Sequence, residues 1–334
     1  MKKLSPEAVW QMSDKDLLGI LGSESFGSKS GRIHFYAPSF MYYKTSCYCS
    51  SPMDFPTISI TAGNCALKCG HCGGKVLETM YPATTPEKLL ELCKKLKLGG
   101  ALGCLISGGC LQDGSVPLGD FVDAIGRIKR ELGLTVVVHT GIVDFDTAKA
   151  LEQSGVDAAL IDVIGSDESI KEICNMDVTV NDYARSLEAL DKANIDFVPH
   201  VIVGLHHGRL RGELHALEMI SKSEPSALVI IALMPIHGTQ MQDVQPPRPL
   251  DIAKVIVAAR LLLPETPLAL GCMRPKGKHR NETDVLAIKA GVDAIAFPTE
   301  EAIEFAKKQG YAASFSSLCC SQIYAAVRDL RNRA

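Results

Sequence analysis

The sequence is poor in the features that announce a partner or a compartment. It has one tryptophan, 6% aromatic residues, a formal charge of only −3 and no long basic stripe, so nothing in it asks for a nucleic-acid partner. No apolar run reaches the roughly 18 residues that a membrane-spanning helix needs, and Met1-Lys2-Lys3-Leu4-Ser5-Pro6 does not lead into the apolar stretch of a secretory signal. A cytoplasmic protein with no membrane partner is expected. Paired acid–base carboxylates and a serine triad are also not evident, so a small or protein-bound substrate must be handled by other chemistry.

What the chain does have is apolar surface and thiol. With 46% hydrophobic and 22% charged residues over 334 positions, it is ordinary globular material with a large core, arranged in one or two domains. Twelve cysteines in a reducing compartment read as ligands and small buried residues rather than as a disulfide framework. Cys93, Cys104 and Cys174 fall inside helical or strand patterns and are most simply core.

Three other thiols are organised differently. Cys65-Ala66-Leu67-Lys68-Cys69-Gly70-His71-Cys72 sets cysteines four and three apart and then stops. A closed structural zinc site wants four ligands, whereas a cluster gripped at three irons leaves its fourth iron open to a small molecule. A zinc ribbon whose last ligand lies elsewhere stays open as the alternative.

The Cys-x3-Cys-x2-Cys motif, directly after the apolar run 57–61, resembles the signature of the radical S-adenosylmethionine (SAM) enzymes. The resemblance implies that Cys65, Cys69 and Cys72 hold a [4Fe–4S] cluster. It further implies that the amine and carboxylate of S-adenosylmethionine chelate the open iron, and that one electron from a donor cleaves the sulfonium to a 5'-deoxyadenosyl radical. Such a cofactor carries the hard chemistry while the protein positions it. His71 stands where the family usually has an aromatic residue beside the adenine.

From residue 57 on, apolar runs alternate with helical patterns. Eight strands are expected, at 57–62, 101–107, 135–139, 158–163, 197–203, 227–233, 267–271 and 293–297, with helices such as 181–194, 211–222 and 250–263 between them. Continuous apolar strands suit a parallel sheet covered on both faces. Count and order predict an α/β fold, a (β/α)8 TIM barrel over 57–299, with its chemistry at the C-terminal mouths of the strands; a doubly wound open sheet is the alternative. Residues 1–56 are read as an N-terminal arm. It contains a helix over 5–21 with start signals at Ser5-Pro6 and Ser13, a Gly/Ser-rich loop over 22–31, and an aromatic cluster from His34 to Phe40 and at Tyr42-Tyr43. Residues 300–334 form a C-terminal extension.

Polar residues at the strand ends are the candidate cofactor contacts. Ser107-Gly108-Gly109-Cys110 resembles the family's Gly-Gly-Glu segment, with Cys110 in place of the acid, and its paired glycines let backbone approach a ligand. The resemblance gives Ser107, Gly108 and Gly109 to the methionyl end of S-adenosylmethionine. His139 and Asp162, closing the third and fourth strands, are contacts to ribose hydroxyls or the methionyl carboxylate. Val203 and Gly204 belong to a segment similar to the family's Gly-x-Ile-x-Gly-x-x-Glu adenine support, with His200 at the first glycine and Glu213 displaced. Leu233 ends the sixth strand. The turn Gly238-Thr239-Gln240-Met241 and Arg274 after the seventh strand resemble biotin synthase and its relatives, which insert sulfur at unactivated carbon. Arg274, with Lys276, Lys278 and Arg280, makes a positive patch able to hold a carboxylate or an acidic carrier. His206 and His207 are read as a solvated loop rather than as metal ligands.

Two further thiol pairs flank the barrel, Cys47 and Cys49 before it and Cys319-Cys320 after it. They resemble, in logic rather than in spacing, the split ligand set of the auxiliary cluster that lipoyl synthases consume as a sulfur source. Over nearly its full length the chain is similar to the biotin-synthase-related radical enzymes that include one half of the two-protein, archaeal-type lipoyl synthase. On that resemblance a second [4Fe–4S] cluster is held by Cys47, Cys49, Cys319 and Cys320, the last two and Arg274 acting in catalysis. The partners would be an octanoylated carrier protein or peptide, a second radical SAM protein and an electron donor. Two other readings stay open: a radical SAM mutase or metallocofactor-assembly enzyme, and an iron–sulfur scaffold with no enzymatic role.

Overall fold

A computed structural model describes residues 4–22, 26, 31–39, 41–51 and 53–333. Its centre is one parallel sheet of eleven strands: β1 Arg32–Tyr36, β2 Thr57–Ser59, β3 Tyr81–Pro82, β4 Gly103–Ser107, β5 Thr135–His139, β6 Ala158–Asp162, β7 Phe197–Val203, β8 Leu228–Ala232, β9 Leu268–Leu270, β10 Ala294–Ala296 and β11 Ala312–Ser316. The spatial order is β11-β1-β10-β9-β8-β7-β6-β5-β4-β2-β3. All eight expected strands are present in sequence order, and the sheet curls into the barrel-like α/β fold.

Parallel neighbours need a crossover, and the sequence supplies a capped helix for most of them. The helix Pro86–Leu98 begins with proline in its first turn and with the Thr85 hydroxyl accepting from Lys88 N at 3.3 Å. Val180–Ala193 begins with a reciprocal Thr179–Asp182 capping box, and Asp144, Ser166 and Thr299 cap three others. Each cap satisfies amide groups that a helix start leaves unpaired.

Two features depart from expectation. The helix over 5–21 is two helices, Pro6–Trp10 and Asp14–Leu21, because the Ser13 hydroxyl takes Asp16 N and starts the second one. The arm is also part of the sheet: β1 pairs with β10, His34 opposite Ala294, and β11 of the extension pairs with β1 along its whole length. Paired alternation was masked there by the aromatic run. The loop expected over 22–31 lies mostly outside the described residues, as does Phe40.

The core has two parts. Between helices and strands lies a large aliphatic layer. Inside the curl the strands present small residues, Ala158, Ala227, Ala269, Ala294 and Ala296, around Cys320, Ile323 and Tyr324. The turn Cys320–Gln322 meets β6, β8, β9 and β10, so the C-terminal segment runs inside the barrel. It leaves at the N-terminal ends of the strands, where Tyr324 Oη donates to Asp157 O at 2.5 Å and Arg328 pairs with Asp196 at 2.6 and 2.8 Å. Alanines make the lumen wide, and the C-terminal segment fills the space they leave.

Ile323 is fully buried in that lumen. Ile323→Ala is expected to cost about 2–5 kcal/mol of stability, read from urea unfolding; a loss under about 1 kcal/mol would show that the segment does not fill the barrel.

Candidate functional site at the strand mouths

The cysteine motif occupies the loop after β2 and is held on three sides by backbone. Ala66 N donates to Cys110 O at 2.9 Å, Gly70 N to Ile173 O at 2.7 Å and Met241 N to Gly70 O at 3.2 Å, while Asn175 Nδ2 donates to Leu67 O and Lys68 O at 3.2 Å. Lys68 adopts φ +47° and Gly73 φ +53°, so the chain doubles back and turns its sulfurs together. The donor atoms of Cys69, His71 and Cys72 lie within 4.8 Å of one another. Cys65 stands outside that group, beside Cys110 and electrostatically coupled to Cys69.

These thiols are poor anions on their own. Cys69 donates to Cys174 O at 3.3 Å, and that bond, with burial, pushes its ionisation up. Cys72 is pushed up to about 12 by its contact with Cys69 and by burial, and Cys110 to about 12 by burial and the nearby Cys65. His71 Nδ1 is buried without a hydrogen-bond partner. A metal centre answers this arrangement, because cation binding displaces thiol protons and takes up the orphaned donor set. Cys69 and Cys72 converge as the ligand set of a cluster requires, and Cys65 stands near enough to act on Cys69 electrostatically, so the residues suit a cluster without forming its compact three-thiol set here.

The two glycines after β4 serve the loop as much as any ligand. A Cβ on Gly109 would stand 2.0 Å from Asn64 O and 2.6 Å from Cys65 Cα, and Gly109 N donates to Thr61 Oγ1 at 2.7 Å. One on Gly108 would meet Thr61 and Ile60 at 3.0–3.1 Å. Ser107 Oγ donates to His139 O at 3.5 Å.

Next along the sheet, His139 faces Asp162, Nε2 to Oδ1 3.6 Å, and His200 joins them with its ring centroid 5.8 Å from that of His139. Donor atoms of the three lie within 4.8 Å. Burial works against charge in both partners, but the facing imidazole holds Asp162 down at about 2, and the carboxylate lifts His139 above its ordinary value. Burial drives His200 down to about 4, so it is neutral near pH 7. Its Nδ1–H is committed to Val198 O at 3.1 Å. His200 is the one ionisable residue in β7, which was the available signal for its role.

Beyond it, Leu233 N donates to Val203 O at 2.9 Å, and Gly204, at φ +74°, donates its N–H to Glu213 Oε1 at 2.8 Å. The displaced glutamate therefore reaches the strand end after all. Burial raises Glu213 to about 7, and its Oε2 has no partner. Val163, Ile164, Gly165, Ile202 and Leu205 share its cleft.

Arg274 is placed differently from expectation. It is 0% exposed, grips Asp284 through Nε and Nη2 at 2.8 and 3.0 Å, and donates to Gly271 O at 2.6 Å and Phe297 O at 3.2 Å. A guanidinium so committed has no fork left for a substrate carboxylate, so Arg274 is structural rather than catalytic. Arg280 is likewise buried, donating to Arg274 O at 2.9 Å. The expected positive patch reduces to Lys276 and Lys278.

The flanking thiols separate. Cys47 and Cys49 sit on an exposed hairpin closed by the Lys44–Cys49 bridge, where Lys307 Nζ donates to Cys47 Sγ at 3.0 Å and holds that thiol below its usual range. Cys319 and Cys320 lie in the lumen, where the contact between the two thiols holds the ionisation of Cys320 up and that of Cys319 down. Their neighbours are His139 and Cys272, the latter pushed up to about 11 by burial and by Cys319. Among the described residues the four expected thiols do not form one compact donor set, because hairpin and lumen hold them apart. Cys272 was missed as their companion; it follows β9 directly, where strand-end position was the only cue.

Residues 59–209 match the Radical SAM superfamily, a span that opens in β2 and includes the motif and the ends of β4 to β7. That stretch, a little under half of the chain, is a radical SAM domain by this match. It is 27% identical over 248 residues to the biotin synthase of Zymomonas mobilis, covering 72% of each chain, and 28% identical over 222 residues to that of Leptospira biflexa, covering 65% of this chain and 62% of that one. Among solved structures, HydG, a maturase of the [FeFe]-hydrogenase, has TM-score 0.65 at 16% identity, over 98% of this chain and 75% of its own. Methylornithine synthase has TM-score 0.58 at 16% identity, over 96% and 99%. These two show the shared fold. The domain implies a [4Fe–4S] cluster and S-adenosylmethionine, and the relatives place the chain beside the biotin synthases, as the strand-end turns suggested.

Two outcomes test the site. Arg274→Ala should cost about 3–5 kcal/mol by stranding Asp284, measured by chemical denaturation; a loss of substrate affinity at unchanged stability would restore a binding role. For Glu213 the native state holds its proton to about pH 7 while the unfolded chain releases it near the ordinary carboxylate value. Stability should therefore fall as pH rises through that window. Glu213→Gln should flatten the fall between about pH 5 and about pH 8, and an unchanged slope in that variant would assign the dependence elsewhere.

Proposed function

We propose that the chain is a radical SAM sulfurtransferase that inserts sulfur at unactivated carbons of a protein-bound octanoyl chain, as one component of a two-protein lipoyl synthase. The observation that carries this reading is the convergence of Cys319, Cys320 and Cys272 inside the barrel, at the level of His139, in a chain whose relatives are biotin synthases. They meet among side chains that are otherwise mostly apolar, Val137, Leu160, Val229 and Phe297 together with the lumen alanines.

When bound, the cluster and S-adenosylmethionine supply the one-electron chemistry that removes hydrogen from an unactivated carbon. The chain's own residues do the positioning. Cys65, Cys69 and Cys72 hold the cluster, with His71 packed among them. Gly108 and Gly109 keep its loop on the end of β4 and leave backbone beside Ser107 for the methionyl end. The His139–Asp162 pair presents fixed charge to polar groups of the nucleoside, and Val203, Gly204 and Leu233, braced by Glu213, form the wall for the adenine. The sulfur source in this reading is a second iron–sulfur cluster, with Cys319, Cys320 and Cys272 as its thiols; Cys47 and Cys49 are turned away from it. An electron donor and a second radical SAM protein complete the system.

A second reading is favoured by one feature. The His139–Asp162–His200 group makes part of the lumen wall polar, which suits a small polar substrate better than an alkyl chain and fits a mutase or a metallocofactor-assembly enzyme. An iron–sulfur scaffold without turnover is the third.

Anaerobic iron analysis separates them: about eight irons per chain for two clusters, about four for one. Cys69→Ala should abolish formation of deoxyadenosine. Cys319→Ala with Cys320→Ala should leave that cleavage intact yet stop sulfur from appearing in an octanoyl-lysine peptide, followed by mass spectrometry with and without a second radical SAM protein. Sulfur transfer by the double variant would reject the proposed donor site.

A further inference from the structure

We propose that the outer rim of the barrel holds a zinc-class divalent cation between Glu168, Glu172, His206 and His207, in a site separate from the cysteine motif. The two glutamates stand four apart on the helix Asp167–Cys174 and so share one face. The two histidines come from the turn after β7. Adjacent side chains in an extended chain point to opposite sides, but here His207 takes φ +51° and both rings turn to the same helix, their centroids 5.2 Å apart.

Three of the donors converge, and the fourth, on His207, reaches Glu172. His206 Nε2 lies 3.8 Å from Glu168 Oε1, His207 Nε2 lies 2.7 Å from Glu172 Oε1, and the donor atoms of Glu168, Glu172 and His206 are all within 4.8 Å of one another. Zinc binds imidazole and carboxylate at roughly 2.0–2.2 Å, so tetrahedral neighbours sit about 3.3–3.5 Å apart; the two measured pairs bracket that spacing. Backing groups fix the orientation. Ser169 Oγ contacts His206 Nδ1 at 3.2 Å, which turns Nε2 toward the glutamates, and Arg211 occupies Glu168 Oε2, which leaves Oε1 facing the imidazole. A ligating histidine is ordinarily braced through its other nitrogen in this way. Two carboxylates against one guanidinium leave a negative charge for the cation to meet.

The site has a structural consequence for the neighbouring cleft. It ties the helix after β6 to the turn that begins at Gly204, and Ser169 and Arg211 line the same cleft as Glu213. The far end of that helix supplies the carbonyls of Ile173 and Cys174 to the cysteine loop. A cation at its first turns would hold both walls in register.

Cobalt(II) titration of the full chain tests the proposal, because a nitrogen–oxygen site gives visible ligand-field absorption without the thiolate-to-cobalt band that cysteine sites add. One equivalent of such absorption, displaced by zinc, is expected in the wild type and in the variant with Cys65→Ala, Cys69→Ala and Cys72→Ala. Ser169→Ala should weaken binding about 10–100-fold, and His206→Ala and Glu172→Gln by at least as much, while each variant without metal keeps the wild-type melting temperature within a few degrees. Zinc should raise the melting temperature of the wild type and not of the His206→Ala chain. Only thiolate-type binding, or nitrogen–oxygen absorption that survives both His206→Ala and Glu172→Gln, would show that these residues form ion pairs and nothing more.

Discussion

The site rests on a backbone contact that only missing side chains permit. Asn64 and Cys65 lie against Gly109 so closely that a single methyl group there would overlap the chain. Because of that contact the cysteine loop can lean on the end of β4, where Cys110 O accepts from Ala66 N and Thr61 Oγ1 accepts from Gly109 N, and reach Ile173 and Asn175 across the mouth. Sulfurs held by backbone on three sides have little freedom to move, and a metal centre gains from finding its donors already placed. Cys110 serves the loop through its backbone, its carbonyl accepting from Ala66 N.

A second constraint is the width of the lumen. Alanines in β6, β9 and β10 and just before β8, Ala158, Ala269, Ala294, Ala296 and Ala227, leave a channel that bulkier side chains at those positions would narrow. The C-terminal segment fills its lower part and is sealed by Tyr324 and Arg328 at the N-terminal ends of β6 and β7. Its turn carries Cys319 and Cys320 up to Cys272. Thiols near the mouth and packing at the base are thus carried by one inserted segment.

Charge is distributed by the same geometry. Arg274 and Asp284 neutralise each other behind β9 and tie Gly271 to Phe297, so this arginine organises strand ends instead of meeting a ligand. A buried pair of this kind is costly to break, because either partner alone is an unpaired charge out of water. At the open side, Asp162 remains ionised between two imidazoles, His139 and His200.

Local sequence determined the cysteine motif, the eight strands that alternate with capped helices, and the placing of polar residues at strand ends, because spacing and periodicity are properties of neighbouring residues. Tertiary structure decided what depends on residues far apart in the chain. It put β1 and β11 into the sheet, since strand pairing partners 260 or more positions away leave no local trace. It turned Arg274 inward to Asp284, brought His200 to His139 and Asp162, and sent Cys47 to Lys307 while Cys319 went to Cys272. Each of these follows from which faces meet when the sheet curls, and curvature is a sum over the whole barrel that no short stretch of sequence contains.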